Sequence, residues 1–149
     1  MSERILVPID GSPLSQLALE TALEEHPEAE IVALHVIDPF EPGYSVYDVP
    51  YDGETEPIHG SDEWYERADE LATDLLADAR DLAAEYETEL SLETVTGNPS
   101  KEIVEYATDN DVDQIIMGSH GREEDARILL GSVTEAVAFR APIRVSLIR

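Results

Sequence analysis

The sequence predicts an α/β fold: five parallel strands form one doubly wound sheet, in the order 3-2-1-4-5, with helices on both faces. Short apolar runs alternate with longer segments of helical periodicity along the 149 residues, which is the pattern of repeated strand–helix–strand units. The runs at 4–9 and 29–37 are almost continuously apolar, as expected for parallel strands covered on both faces. A chain of this length is predicted to form a single domain, residues 1–149.

The first helix is predicted between the strands at 4–9 and 29–37. Ser12 is a suitable N-cap for this helix. Pro13 fits its first position, because the N–H that proline lacks would be unpaired there. The apolar face of the helix is predicted to consist of Leu14, Leu17, Ala18 and Ala22.

Two further helix–strand units and a last helix and strand follow. A long helix is predicted to begin near Ser61 or Asp62. The strand at 89–97 alternates between polar and apolar residues, which indicates an edge of the sheet. A capped helix at 98–110, a strand at 112–118, a short helix at 132–140 and a strand at 142–149 complete the chain. The apolar face of the long helix is predicted at Trp64, Ala68, Leu71, Leu75, Ala79, Leu82 and Tyr86.

Residues 38–60 show no periodicity and contain four prolines, three glycines and three tyrosines. So long a stretch is unusual in a compact domain, and such stretches form lids, contact partners or remain disordered. It follows the second strand, at the end of the sheet where ligands bind in this class of fold. We predict a long mobile surface loop, and closure over a ligand is the alternative.

The chain has 34 acidic residues against 9 basic ones, a formal net charge of −25, and Lys101 is its only lysine. Such a surface repels phosphates of nucleic acids and anionic lipid headgroups, so we expect neither nucleic acid nor a membrane as partner. The acids are spread over every predicted helix, which indicates a halophilic origin. In molar salt the Debye length falls to about 3 Å, and most of the self-repulsion is screened.

Several kinds of chemistry are excluded or weakly supported. Cysteine is absent, so disulfides, thiolate catalysis and cysteine-based zinc sites are excluded, and the four histidines lack the spacing of metal ligands. His35 is predicted to be a hydrogen-bonded core residue, whereas His120 could contact a phosphate or face solvent. No apolar run approaches the ~18 residues of a membrane span, and we expect a cytoplasmic protein.

Glycines follow the fourth predicted strand at a defined spacing. Gly118 and Gly121 would permit positive φ angles and a close approach of backbone N–H groups to a ligand. Gly131 and Ser132 open the last helix, whose unpaired N–H groups and positive dipole end attract an anion. The full pattern, G-x2-G-x9-G-S between a buried strand and a helix, predicts a phosphate-binding site.

At this pattern the sequence resembles the universal stress protein family. "RILVPIDGSPLS" (4–15) is similar to the family's first strand and loop, "ALHVID" (33–38) to its second strand, and residues 115–149 to its C-terminal third. The resemblance implies a Rossmann-like fold of the adenine nucleotide alpha hydrolase type. It also implies an ATP-binding sensor or regulator of the stress response. The alternative is a dimeric interaction protein of the same family whose nucleotide site is vestigial.

The resemblance assigns roles to individual residues. In ATP-binding members the glycine pattern holds the phosphates and ribose. Asp10 would meet the ribose or adenine side, with Pro8 beside it. The resemblance also implies Mg²⁺ bound with the nucleotide, and a homodimer joined through the last strand, residues 143–149. It implies phosphate and ribose binding for Gly118, Gly121, Gly131, Ser132 and Val133, and an adenine pocket formed in part by Val36 and Met117.

The spacer departs from the family pattern, because Glu123, Glu124 and Asp125 follow where small or basic residues are common. A unit charge pair at 4 Å is worth about 1 kcal/mol in water, so these acids could weaken ATP binding at low salt. Arg122, which we include among the binding residues, and Mg²⁺ would offset part of this repulsion. We interpret the acids as halophilic surface residues, which predicts that ATP affinity survives or rises as salt increases.

Structural roles stay open for several of these residues. Asp10 could simply start the turn into the first helix, Val36 and Met117 could belong to the core, and Ser132 could be the N-cap of the last helix. Enzymatic activity is weakly supported, because the sequence has no Walker A motif, no G-x-S-x-G motif and no recognisable general base. At most a slow ATPase is expected.

Overall fold

The computed structural model describes residues 3–49, 51, 56–120 and 130–149. Within these ranges every strand pairing is parallel, and the sheet has the order β3-β2-β1-β4-β5, as the sequence predicts. The elements are β1 (Arg4–Pro8), α1 (Pro13–Glu25), β2 (Glu30–Ile37), α2 (Asp62–Glu85), β3 (Leu90–Thr96), α3 (Pro99–Asp109), β4 (Gln114–Gly118), α4 (Ser132–Arg140) and β5 (Arg144–Ile148).

The two faces of the sheet carry separate apolar clusters, which makes the fold doubly wound. On one face, Ile5 and Val7 of β1 pack with buried residues of α1 and α2. On the other face, Leu6 and Ile115 pack with residues of α3 and α4 such as Val137. The central strands β1 and β2 are therefore covered on both sides, whereas β3 lies at an edge and alternates in exposure.

Side chains cap the first three helices but not α4. Ser12 Oγ accepts a hydrogen bond from the N–H of Ser15 (3.4 Å), which confirms the predicted cap of α1. Ser61 and Asn98 cap α2 and α3 in the same way. The N-cap of α4 is Gly131, which has no side chain to offer, so Ser132 is the first residue of the helix. The interpretation of Ser132 as an N-cap is therefore wrong.

The buried faces of α1 and α2 are rotated from the predicted ones. In α1, Leu17 is 41% exposed, and Leu19 and Leu23 are buried in its place. In α2, Ala72, Leu76 and Ala83 are buried, whereas Leu71, Leu75 and Leu82 lie partly buried at the flank. Small alanines facing the sheet allow α2 to pack closely against it, and the longer leucines fill the space at either side.

The described part of the segment between β2 and α2 packs against α2. Tyr44 is 2% exposed, and its ring stacks on Trp64 with the centroids 5.9 Å apart. The ring of His59 lies 4.4 Å from that of Trp64, and Ala68 and Ala72 complete the cluster from α2. The predicted mobility of residues 38–60 stays a prediction. Among the helices of the described ranges, none has the length and hydropathy to cross a bilayer.

Candidate functional site

A cavity of about 620 Å³ opens at the carboxyl ends of β1, β2 and β4. Its walls come from these strand ends, from the first turns of α3 and α4, and from residues 41–49, which we call the arch. In a parallel sheet this edge is where ligands bind, at the point where the strand order reverses. The volume lies in the range of small-molecule and cofactor sites.

Most of the residues predicted to form a site meet at this cavity. Gly121 and Arg122 lie outside the described residues, as do the spacer acids at 123–125. The other predicted residues lie together around the cavity, and their roles in binding stay predictions. The predicted residues that line the cavity are Pro8, Asp10, Val36, Met117, Gly118, Gly131, Ser132 and Val133.

The first turn of α4 presents backbone N–H groups at the cavity. The N–H of Gly131 is used within the protein, because it donates to the carbonyl of Ser119 at 2.8 Å. Ser132, Val133 and Thr134 follow along the cavity wall, and no side chain among the described residues caps this end of the helix. Helix N–H groups without such a partner, at the positive end of the helix dipole, favour a bound anion.

Close packing explains the glycines at 118 and 131. A Cβ at Gly118 would lie 2.8 Å from Leu14 Cβ, and one at Gly131 would lie 3.1 Å from His120 Cα. The φ angle of Gly118 is not positive, so this glycine does not use the left-handed conformation that its residue type permits. Glycine at these positions lets α1 and the start of α4 approach the end of β4.

Hydrogen bonds hold Asp10 on three sides. Its Oδ1 accepts from the N–H of Ser12 (2.9 Å), and its carbonyl accepts from the N–H of Tyr47 in the arch (2.8 Å). Its own N–H points to Ser15 Oγ at 3.4 Å. Asp10 therefore does start the turn into α1. It also lines the cavity, and its Oδ2 accepts no hydrogen bond from the described residues, so a contact with a ligand is compatible with that role.

Val36 and Met117 belong both to the core and to the cavity wall. They are 8% and 5% exposed and pack in the same apolar cluster as Leu6. Both also line the cavity, where they provide an apolar surface between β2 and β4. The two interpretations that the sequence leaves open are therefore compatible.

The two histidines near the strand ends have different surroundings. His35 is buried, and its Nδ1 lies 2.9 Å from the carbonyl oxygen of Ile9, as expected for a hydrogen-bonded core residue. The distance indicates that Nδ1 carries the proton. His120 lines the cavity beside Gly131, and its Nδ1 is buried without a partner among the described residues.

The arch is the part of the site that sequence patterns did not specify. Trp64, at the start of α2, donates from Nε1 to the carbonyl of Gly43 at 3.1 Å and so attaches the arch to the helix. Burial of the Tyr44 side chain, together with its hydrogen bond to the Glu56 carboxylate, raises the pKa of Tyr44 to about 12. The sequence contains one signal for this attachment, the single tryptophan that follows the tyrosine-rich segment. We predicted Trp64 only as part of the apolar face of the long helix.

The described wall of the cavity is acidic. It includes Asp10, Asp38, Glu41 and Asp48, and none of the described lysine or arginine side chains lines it. The residues at 121–129 add two arginines and three acids in sequence. A polyanion in this cavity would therefore experience repulsion from the carboxylates and attraction from the start of α4.

Comparison with known proteins agrees with the fold and shows the family of the chain. The model of the universal stress protein family matches residues 1–149. Universal stress protein MJ0531 of Methanocaldococcus jannaschii is 32% identical, over 99% of this chain and 82% of the relative. The solved structure of MJ0577 superimposes with a TM-score of 0.80 at 31% identity, covering 99% of this chain and 96% of that one. A universal stress protein in complex with cAMP, 24% identical, shares the fold with a TM-score of 0.68 over 99% and 97% of the two chains.

Proposed function

The chain belongs to the universal stress protein family, and we propose that its cavity binds an adenine nucleotide, ATP with Mg²⁺. In this proposal the nucleotide-bound protein acts as a cytoplasmic sensor or regulator of the stress response rather than as a fast enzyme. The cAMP complex of a protein with the same fold supports the adenine nucleotide class. The choice of ATP rests on the G-x2-G-x9-G-S pattern, which this sequence retains in full.

The observation that carries the proposal is the uncapped start of α4 at the cavity wall. Gly131, the N-cap, offers the N–H groups of the first turn no side-chain acceptor, and a phosphate group would satisfy them. Val36 and Met117 give the same cavity an apolar wall for a base. Asp10 supplies a carboxylate that can accept a hydrogen bond from a sugar hydroxyl or an exocyclic amine. Mg²⁺ bound with the nucleotide would offset part of the charge of the acidic wall.

Calorimetric titration tests the proposal directly. The purified protein is titrated in molar KCl with Mg-ATP, AMP, cAMP and adenosine, after circular dichroism has shown that it is folded. We expect the nucleotides to bind more tightly than adenosine, because only they present a phosphate to α4. Failure of all the nucleotides to bind to the folded protein would refute the proposal and favour a vestigial site.

We also propose a homodimer joined through β5. This strand pairs with β4 on one side only and forms an edge of the sheet, where its backbone groups can pair with a second chain. Two apolar side chains are exposed in this part of the chain: Leu147 on β5 itself, and Phe139 on α4, the helix that precedes β5. Light scattering after size exclusion, at several protein concentrations, should give twice the chain mass of 16.5 kDa. A monomer at every concentration would contradict this proposal.

A further inference from the structure

We propose that Trp64 is a positioning residue for the nucleotide site: its indole holds the arch, and the arch fixes Asp10. The inference rests on the proposed function for its ligand, but its structural part concerns the protein alone. Trp64 does not line the cavity. It would therefore act on a ligand only through the residues that it holds in place.

The first link is the attachment of the arch to α2. The Trp64 Nε1–H donates to the Gly43 carbonyl at 3.1 Å, and the Trp64 ring stacks on Tyr44 with an interplanar angle of 18°. Both arch residues line the cavity. The Trp64 side chain is fully buried and closely packed, so a change in its size or hydrogen bonding alters its contacts with these neighbours.

The second link is the backbone conformation of the arch. Gly43, Ser45 and Asp48 have φ angles of 94°, 67° and 61°, so three of its nine residues are left-handed. For residues other than glycine this conformation is uncommon, and it persists where surrounding contacts hold it. Ser45 Oγ supplies one such contact by accepting from the Asp38 N–H at 2.7 Å, and the indole of Trp64 supplies another.

The third link joins the arch to Asp10. The Tyr47 N–H donates to the Asp10 carbonyl at 2.8 Å. A Cβ placed on Gly11 would lie 3.6 Å from Val46 Cγ1 and 3.9 Å from Tyr47 Cβ, so the arch is in contact with this turn. Because Ser12 also holds Oδ1 of Asp10, the direction of the other oxygen, Oδ2, depends on contacts from both sides of the turn.

A carboxylate fixed in this way is prepared to accept a hydrogen bond from a ligand. Ordering the group before binding removes a conformational cost that would otherwise oppose binding. Loosening the arch should therefore weaken the ligand contact of Asp10 more than the contacts at α4. Trp64 would thus influence which nucleotides bind, through the sugar or base, and not the anchoring of the phosphate.

Amide hydrogen exchange of the ligand-free protein tests the structural part. In a Trp64→Phe variant, which keeps a ring but loses the Nε1–H, we expect exchange at the Tyr47 and Ser12 amides to accelerate about tenfold. The Ile9 amide, bonded to the Leu34 carbonyl at 2.8 Å, should keep its rate. Equal acceleration of all three amides would indicate general destabilisation, and unchanged exchange at Tyr47 would overturn the proposal.

Two further variants distinguish loosening of the arch from general damage to the core. Ser45→Ala removes the Oγ that holds the arch to Asp38, at the end of β2, and should produce the same local acceleration. Tyr86→Phe is the matched control, because it removes one side-chain hydrogen bond next to the C-terminal end of α2, that between Tyr86 Oη and Glu24 (3.0 Å). Acceleration at Tyr47 in the Tyr86→Phe variant as large as in Ser45→Ala would overturn the proposal.

A double-mutant cycle on nucleotide affinity tests the functional part. We expect Trp64→Phe to weaken AMP binding about tenfold in the parent protein and by less than twofold when Asp10 is already alanine. Equal losses in the two backgrounds would overturn a positioning role. Absence of AMP binding in the parent protein would refute the proposed function instead, and the exchange experiment would then decide the structural link on its own.

Discussion

Gly118 at the end of β4 packs against Leu14 of α1 so closely that a Cβ at position 118 would lie 2.8 Å from Leu14 Cβ. The same Cβ would lie 3.1 Å from the Leu14 carbonyl carbon, which belongs to the helix backbone and cannot rotate away. Gly118→Ala should therefore reduce the free energy of unfolding by about 1–3 kcal/mol even without a ligand. Thermal unfolding measures this change, with about 2–4 °C expected per kcal/mol for a chain of this size.

A double-mutant cycle with Leu14→Gly identifies the cause of the Gly118→Ala effect. Leu14→Gly removes the Leu14 Cβ, the nearest atom that the new Cβ would meet, so the double variant should lose less stability than the sum of the single variants. Strictly additive losses would show that this contact does not explain the glycine. If Gly118→Ala left stability unchanged and weakened only nucleotide binding, the glycine would serve the ligand alone.

Gly131→Asp should weaken nucleotide binding without unfolding the protein. An aspartate at the N-cap can accept hydrogen bonds from the first-turn N–H groups, which satisfies the donors that a phosphate would need. Its charge would also repel the phosphate. We expect at least a roughly tenfold loss of Mg-ATP affinity by calorimetry, from the lost charge-assisted hydrogen bonds.

The matched control for Gly131→Asp is Arg80→Gln, which lowers the net charge by the same one unit on an exposed part of α2. It should leave Mg-ATP affinity nearly unchanged. The new Cβ at 131 would lie 3.1 Å from His120 Cα, so the unfolding temperature of each variant must be measured beside its affinity. Retention of parental affinity in folded Gly131→Asp would contradict phosphate binding at α4.

The sequence specified the fold and most of the site because both follow from local patterns. Alternating strands and helices predicted the doubly wound parallel sheet, and a glycine pattern marked the start of α4. The arch was not predictable in the same way. Its left-handed Gly43 and Ser45 are held by contacts with Trp64 of α2 and with Asp38 rather than by local propensity. The prediction that Leu17 lies on the buried face of α1 was wrong for the same reason. Packing against α2 and the sheet determines which side of α1 is buried.

The charge of the nucleotide should control its affinity. Asp38 and Asp48 are among four carboxylates that line the cavity. We expect ATP without Mg²⁺ to bind more weakly than AMP at low salt, by about tenfold or more, because each phosphate adds repulsion in a partly desolvated site. Mg²⁺ should raise the affinity for ATP. Molar KCl should reduce the difference in affinity between AMP and Mg-free ATP, because the Debye length falls to about 3 Å.

Calorimetry at fixed pH across a KCl series, with EDTA or Mg²⁺ present, measures the affinities for AMP and ATP. Asp48→Asn should reduce the difference between AMP and Mg-free ATP, whereas Asp81→Asn, an equal charge change at an exposed position of α2, should not. A steep fall of ATP affinity with salt would contradict the interpretation of the acidic residues as a screened surface.

The hydroxyl of Tyr44, which donates to Glu56 Oε2 at 2.7 Å, should give the protein an alkaline limit to its stability. Burial of Tyr44, and then its hydrogen bond to the Glu56 carboxylate, raise its pKa from 10.0 to about 12. The folded state therefore holds this proton more tightly than the unfolded state. The resulting stabilisation is fully present below pH 10 and is lost as pH rises from 10 towards 12. Denaturant unfolding of the parent and of Tyr44→Phe across this window measures the difference.

Below pH 10 the parent protein should be more stable than Tyr44→Phe by about 1 kcal/mol, the usual net value of one hydrogen bond. This advantage should shrink as pH rises, because the phenylalanine variant has no proton to lose at that position. Tyr86 donates to Glu24 and also has a raised pKa, so Tyr86→Phe serves as the control for alkaline effects outside the arch. A difference in stability between parent and Tyr44→Phe that stays constant from pH 9 to 12 would show that burial and the hydrogen bond to Glu56 do not hold the proton of Tyr44.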